Sequence, residues 1–170
     1  GDMNRDGCLA QLCFPSFPRF CGQVFLEASD QTLALRCVRA YNDWMIEEWC
    51  AVEPGRLIPL IILPLWDPKL CVSEIESCAD RGVRAFTFSE NPYKLGWPHI
   101  FGGHWDPFFA ACEEEGTVIC LHIGSSSTQI EIAPGAPMDI MITLTPLHTM
   151  QAATDLVWSP VLRKCPNLQF

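Results

Sequence analysis

The sequence is poor in positive charge. Eleven Lys and Arg residues stand against 20 Asp and Glu, for a formal net charge of −9 and a pI near 4.8. The densest basic spot is the pair Arg163-Lys164, so the basic face that a nucleic acid requires is missing. Long hydrophobic runs are also absent. The most apolar stretch, LIPLIILPLW at 57–66, carries two prolines and is too short to span a bilayer. The opening residues GDMNRDG have neither a basic n-region nor an apolar h-region, so they do not read as a signal peptide. No GxGxxG and no GxxxxGK[ST] occurs, which removes the usual nucleotide-phosphate loops. The serine run at 125–127 lacks the second glycine of a Gly-x-Ser-x-Gly elbow, which argues against a serine nucleophile.

There is no CxxC among the ten cysteines. Cys13, Cys37, Cys50, Cys112 and Cys120 fall inside apolar segments, where a free thiol behaves as a small hydrophobe. A chain this long and this regular does not need stapling. The expectation is ten free thiols in a reducing, cytoplasmic compartment. Hydrophobic residues make up 49% of the chain and charged ones 18%, enough for one domain, residues 1–170, with a substantial core.

What is present is an alternation of two patterns. Apolar runs at 8–14, 56–63, 83–88 and 117–123 read as strands, and a further one starts near 167. Between them lie helical stretches at 31–51, 67–82, 106–116 and 147–165, the last with Pro160 as a bend point. In the first helix Leu33, Cys37, Tyr41, Trp44, Met45 and Trp49 recur at helical spacing and are expected to form its buried face. Asp67-Pro68 and Asp106-Pro107 read as capped helix starts. Long loops cover 89–103 and 124–138. Continuous apolar strands alternating with helices imply α/β architecture with a parallel sheet. Two arrangements remain open: a doubly wound open sheet that binds a small molecule, or an arc of a (β/α)8 barrel. A barrel needs about 250 residues, so this chain reads as a middle section of something larger.

One strand raises a specific question. In VICLHIGSSS, 118–127, an imidazole follows four buried-looking residues and precedes a small-residue loop. Neutral imidazole is a good ligand for Zn²⁺ or Mn²⁺, and the C-terminal ends of parallel strands are where catalytic groups sit in barrels. A buried histidine bonded to a backbone carbonyl is the plainer alternative.

The segments YNDWMIEEWC with PGRLIPLIILPLWDP (41–68), ADRGVRAFTFSENP (79–92) and HWDPFFAACEEEGTVICLHIGSSS (104–127) resemble the amidohydrolase-related metal enzymes. The likeness is to the branch of aminocarboxymuconate-semialdehyde and resorcylate decarboxylases. It implies an incomplete (β/α)8 barrel, here roughly strands two to six. It implies one divalent metal, Zn or Mn, with His122 as the fifth-strand ligand. The other ligands of that family lie on strands this chain does not contain. The implied function is non-oxidative decarboxylation or hydrolysis of a small carboxylate or carbonyl compound. The resemblance does not choose between them, and the general acid or base is not identified.

Four further residues are weaker substrate-binding candidates. Arg19 follows the first strand and has the planar fork that clamps a carboxylate. Trp97 and His104 belong to the loop region after the third strand, and Ser125 follows His122. His99 is a fainter candidate, His148 reads as structural, and Glu113-Glu114-Glu115 reads as a solvated helix end. A homo-oligomer is expected, without nucleic-acid or membrane partners. A catalytically inactive barrel fragment stabilised by a second chain is the rival from another class, because open sheet edges pair readily.

Overall fold

The computed structural model describes residues 1–170. It contains four strands: β1 (Gln11–Cys13), β2 (Leu57–Pro59), β3 (Ala85–Ser89) and β4 (Val118–His122). β1 runs parallel to β2, with Gln11 opposite Leu57. β3 runs parallel to β4, with Ala85 opposite Val118 and Ser89 opposite His122. Single parallel bridges, Ile61 to Phe86 and Val118 to Gln169, link the pairs and extend the order. The strands therefore neighbour one another in chain order. A doubly wound sheet reverses its order at a switch point; this order does not reverse, so that alternative is set aside.

The helices are α1 (Asp2–Arg5), α2 (Gln23–Leu26), α3 (Gln31–Trp44), α4 (Pro68–Ala79), α5 (Asp106–Glu114), α6 (Met138–Leu144), α7 (Leu147–Trp158) and α8 (Val161–Lys164). None is long and apolar enough to cross a membrane. Asp30 and Asp67 cap α3 and α4 by accepting the amides of Leu33 and Lys69 at 2.9 and 2.8 Å. α4 stops where Gly82 takes φ +87°, a left-handed turn that lets the Val83 amide return to the Cys78 carbonyl. Asp106 is not the cap expected of it. It is the first residue of α5, and its carboxylate takes Lys164 Nζ at 2.5 Å. Glu113 is not merely solvated either, because it accepts the Asn167 amide at 2.6 Å. The last long helix breaks at Ser159-Pro160, separating α7 from α8.

The expected buried face of α3 is corrected. Ala34, Val38 and Asn42 are its buried residues, whereas Leu33 and Trp44 are exposed. Met45, the next buried residue, begins a π-helical turn, Met45–Trp49, in which Trp49 is exposed. The reason is a backbone debt in the β2 segment. Its prolines at 59 and 64 cut the strand short. Ile62 is fully buried, and the Asn42 amide satisfies it twice. Asn42 Oδ1 accepts the Ile62 amide at 3.1 Å, and Nδ2 donates to the Ile62 carbonyl at 3.0 Å. A buried backbone polar group must find a partner, and that requirement turns Asn42 inward; of the expected stripe Met45 stays in the core and Tyr41 packs against it, while Leu33, Trp44 and Trp49 face outward.

The core is richest beside β3. Phe88 lies edge-on to Trp105 at 5.0 Å and stacked with Phe108 at 4.8 Å. Phe86, Ile119, Ile75 and Cys112 join the same buried cluster.

Candidate functional site at the C-terminal ends of β3 and β4

His122 is the last residue of β4 and is half-buried. Its Nδ1 lies 2.6 Å from the carbonyl oxygen of Ile123. A carbonyl can only accept, so Nδ1 carries a proton, and in the neutral ring Nε2 then keeps its lone pair. The imidazole stacks on Phe20 at 3.6 Å and 11°, and Phe14 meets it edge-on at 5.0 Å. Both phenylalanines come from the segment after β1, so the ring is held from across the strand set. Gly124, at φ +90°, then turns the chain away, a conformation that costs glycine little.

Beside it lies a buried acidic centre that the sequence reading did not single out. Glu90 follows β3 directly, and its side chain is 3% exposed. Its two carboxylate oxygens accept the hydroxyls of Ser125 and Ser126, the latter at 2.5 Å. The Glu90 amide donates to Ser125 Oγ at 2.9 Å. Since the Ser126 proton goes to Glu90, Thr128 Oγ1 donates to Ser126 Oγ at 2.9 Å. His148, also buried, places Nδ1 3.6 Å from Glu90 Oε1. Burial and the nearby Glu90 carboxylate push the Cys21 thiol far above its ordinary range, and that thiol donates to the Ser125 carbonyl at 3.4 Å. A cavity of about 140 Å³ opens here, lined by Glu90, Leu121, Ile123, Thr149 and Leu156 among others, with Glu90 its only charged group.

Of the residues singled out in the sequence, three share this neighbourhood. Besides His122, Ser125 is fully buried with its hydroxyl committed to Glu90. Arg19 is exposed, with Nη1 3.3 Å from Ser127 Oγ and 3.5 Å from Glu27. Arg19 and Ser127 both have positive φ, +62° and +58°, a left-handed conformation that non-glycine residues rarely adopt. Trp97 instead packs against the hydrophobic core. His104 is exposed and lines a separate groove with Gln31, Trp66 and Asp67. The signal for Glu90 was a charged residue at the exact end of an apolar strand, in FTFSENP at 86–92. That for His148 was hidden, because its partner is distant in sequence.

A divalent metal does not find a complete site in these residues. No group of three or more His, Cys, Asp or Glu side chains is placed to hold one. His122 supplies a single suitably tautomerised nitrogen, whereas protein metal sites generally use three or four ligands.

The amidohydrolase family model matches residues 1–170. No curated protein matches the chain. Among solved structures, a dihydroxybenzoic acid decarboxylase from Polaromonas sp. JS666, with bound manganese and the inhibitor 2-nitroresorcinol, aligns with TM-score 0.68 at 21% identity over 98% of this chain and 50% of its own. A Staphylococcus aureus protein provisionally assigned as an amidohydrolase gives 0.66 at 15%, over 98% and 54%. An amidohydrolase from Mycobacterium avium subsp. paratuberculosis K-10 gives 0.63 at 18%, over 98% and 44%. The chain spans about half the length of these structures. At such identities the likeness speaks to the fold.

Proposed function

Because the chain belongs to the amidohydrolase family, we propose that it forms strands two to six of a (β/α)8 barrel in a divalent-metal-dependent enzyme. Its substrate is a small carboxylate or carbonyl compound, and the reaction is non-oxidative decarboxylation in preference to hydrolysis. The observation that carries this reading is His122, fixed as the Nδ1–H tautomer at a C-terminal strand end, with Nε2 left as a lone-pair donor. Metal-binding histidines characteristically give their other ring N–H to a carbonyl or carboxylate. The manganese of the Polaromonas decarboxylase supports a divalent ion, with zinc the other candidate. The remaining ligands come from strands outside residues 1–170. Within this chain, His122 contributes one ligand and Arg19, exposed on the same side, takes a substrate carboxylate bidentately. The ten free thiols suit a reducing cytoplasm, and the assembled enzyme is a homo-oligomer.

Metal analysis after dialysis tests this. Residues 1–170 alone hold well below one equivalent of Zn²⁺ or Mn²⁺ and show no turnover. In the assembled barrel, His122→Ala loses most of the metal and nearly all activity. One tightly held equivalent at His122 in the 170-residue chain would overturn the reading, as would an assembled H122A that keeps metal and rate.

A second reading is favoured by the apolar surface beside β1, where Leu12, Phe17, Trp44 and Trp49 are exposed. On this reading the chain is a non-catalytic barrel section stabilised by pairing with another chain. Sedimentation distinguishes it: a tight complex with no turnover at any metal loading supports pairing without catalysis.

A further inference from the structure

We propose that Glu90 is a positioning residue for His122: it fixes the turn after β4 and so holds the His122 ring in the tautomer that exposes Nε2. The consequence for metal binding rests on the proposed role of His122; the positioning itself does not.

The connection runs through Ser125. Its amide donates to the His122 carbonyl at 3.0 Å, closing the turn that contains Ile123 and Gly124. Its hydroxyl donates to Glu90 and accepts from the Glu90 amide at 2.9 Å. One residue is thus tied by its backbone to His122 and by its side chain, twice, to Glu90. Ser126 adds a second hydroxyl to the same carboxylate. The turn is held on its other side as well. Gln23 Nε2 donates to the Gly124 carbonyl at 3.2 Å, and Ser89 Oγ and Cys21 Sγ donate to the Ser125 carbonyl at 3.3 and 3.4 Å. Ser89 and His122 are register partners, so Glu90, the next residue, stands level with the turn. The Ile123 carbonyl that selects the tautomer lies inside this clamp.

A carboxylate suits this place because it accepts on both oxygens. Two serine hydroxyls and no amide side chain face it, so every proton in the ring has a fixed direction. Glutamine would still satisfy both serines, because Ser126 can accept its NH₂ group and turn its own proton to Thr128, whereas alanine removes both acceptors. The burial of the carboxylate is balanced by these two hydroxyls. Releasing the turn lets the Ile123 carbonyl swing off Nδ1, and the ring then samples the Nε2–H tautomer.

The experiment is long-range ¹H–¹⁵N NMR of histidine-labelled 170-residue chain, with the four histidines assigned by single His→Gln variants. In the wild type His122 shows the Nδ1–H pattern, and its ring protons are shifted upfield by Phe20. Glu90→Ala abolishes both features at His122 and leaves exposed His104 unchanged. Ser125→Ala with Ser126→Ala gives the same loss without touching the charge. If E90A keeps its near-ultraviolet circular dichroism and an unaltered His122 pattern, the proposal is overturned. If E90A does not fold, the double serine variant decides, and an unaltered His122 there overturns it equally. Failure of the metal reading looks different: H122A retains metal in the assembled barrel while the tautomer result stands.

Discussion

β3 and β4 pair over five residues, and every residue of β3 is buried; β1 and β2 pair over three, and only Cys13 of β1 is buried. β3 lies in a cluster with aromatic side chains from α5 and aliphatic ones from α4. The β1–β2 pair borders exposed Leu12, Trp44, Trp49 and Ile58 and a cavity of about 370 Å³ lined by Phe14, Phe17 and Tyr41 among others. Parallel strands are stable when both faces are covered. Where β3 is covered on both faces the register runs long and ends level, and the pinned His122–Glu90 site stands on those level ends. Between the two pairs, Asn42 takes the place of a ladder partner for the buried Ile62.

The largest effects should fall on the covered pair. Phe88→Ala removes the ring that meets Trp105, Phe108 and Phe109 and should cost about 3–5 kcal/mol of stability. Leu12→Ala, at a partly exposed edge position, should cost less than about 1 kcal/mol. Urea unfolding of both variants measures the contrast, and equal losses would erase it.

Next comes the seam between the two pairs. Asn42→Ala strips the Ile62 amide and carbonyl of their partner and takes a 2.8 Å donor from buried Glu74. Unmade buried hydrogen bonds cost about 1–3 kcal/mol, so a loss of about 3 kcal/mol is expected from equilibrium unfolding. A loss as small as that of L12A would mean that β2 is held by something other than Asn42.

The same seam marks where sequence reading succeeded and where it did not. The alternation of strands and helices and the capped helix start at Asp67 were legible, because apolar runs and capping residues act locally. The face of α3 was misread because two stripes compete at helical spacing. The aromatic one is the more hydrophobic, yet Asn42 wins through a backbone need twenty residues away in sequence. His122 stood out by its place at a strand end. Glu90 did not, since its meaning depends on Ser125, Ser126 and His148, which only the fold brings to it.

A smaller effect concerns alkaline pH. Burial pushes Cys78 of α4 and Cys112 of α5 up from the ordinary thiol value of 9.0 to about 12. Unfolding frees these thiols to ionise earlier than in the folded chain, so above pH 9 the unfolded state binds fewer protons. Stability is therefore full below pH 9 and falls as the pH rises from there toward about 12. Urea midpoints at pH 8 and pH 10 should show the fall, and Cys112→Ala should shrink it. A midpoint that rises between those pH values would contradict the burial of these thiols.

A small effect on stability is expected at Trp49, one of two tryptophans on the open region's rim. Trp49 is 52% exposed and tilts against Trp44 with ring centroids 5.5 Å apart. It sits in the π-helical turn that continues α3, so its backbone is held by residues other than its own side chain. Trp49→Ser removes a side chain of which water already reaches about half, and the change in unfolding free energy should stay within about 1 kcal/mol. The same substitution should weaken any self-association, because Trp44, Trp49, Val52 and Leu57 border one apolar hollow, and contiguous exposed apolar surface marks a site of association. Sedimentation over a range of concentrations, run beside urea unfolding, separates the two effects. If W49S loses as much stability as Asn42→Ala, and the loss grows with protein concentration, then Trp49 is covered in solution by another chain. The contrast between the two strand pairs would then belong to the lone chain and vanish in the assembly, as the pairing reading requires.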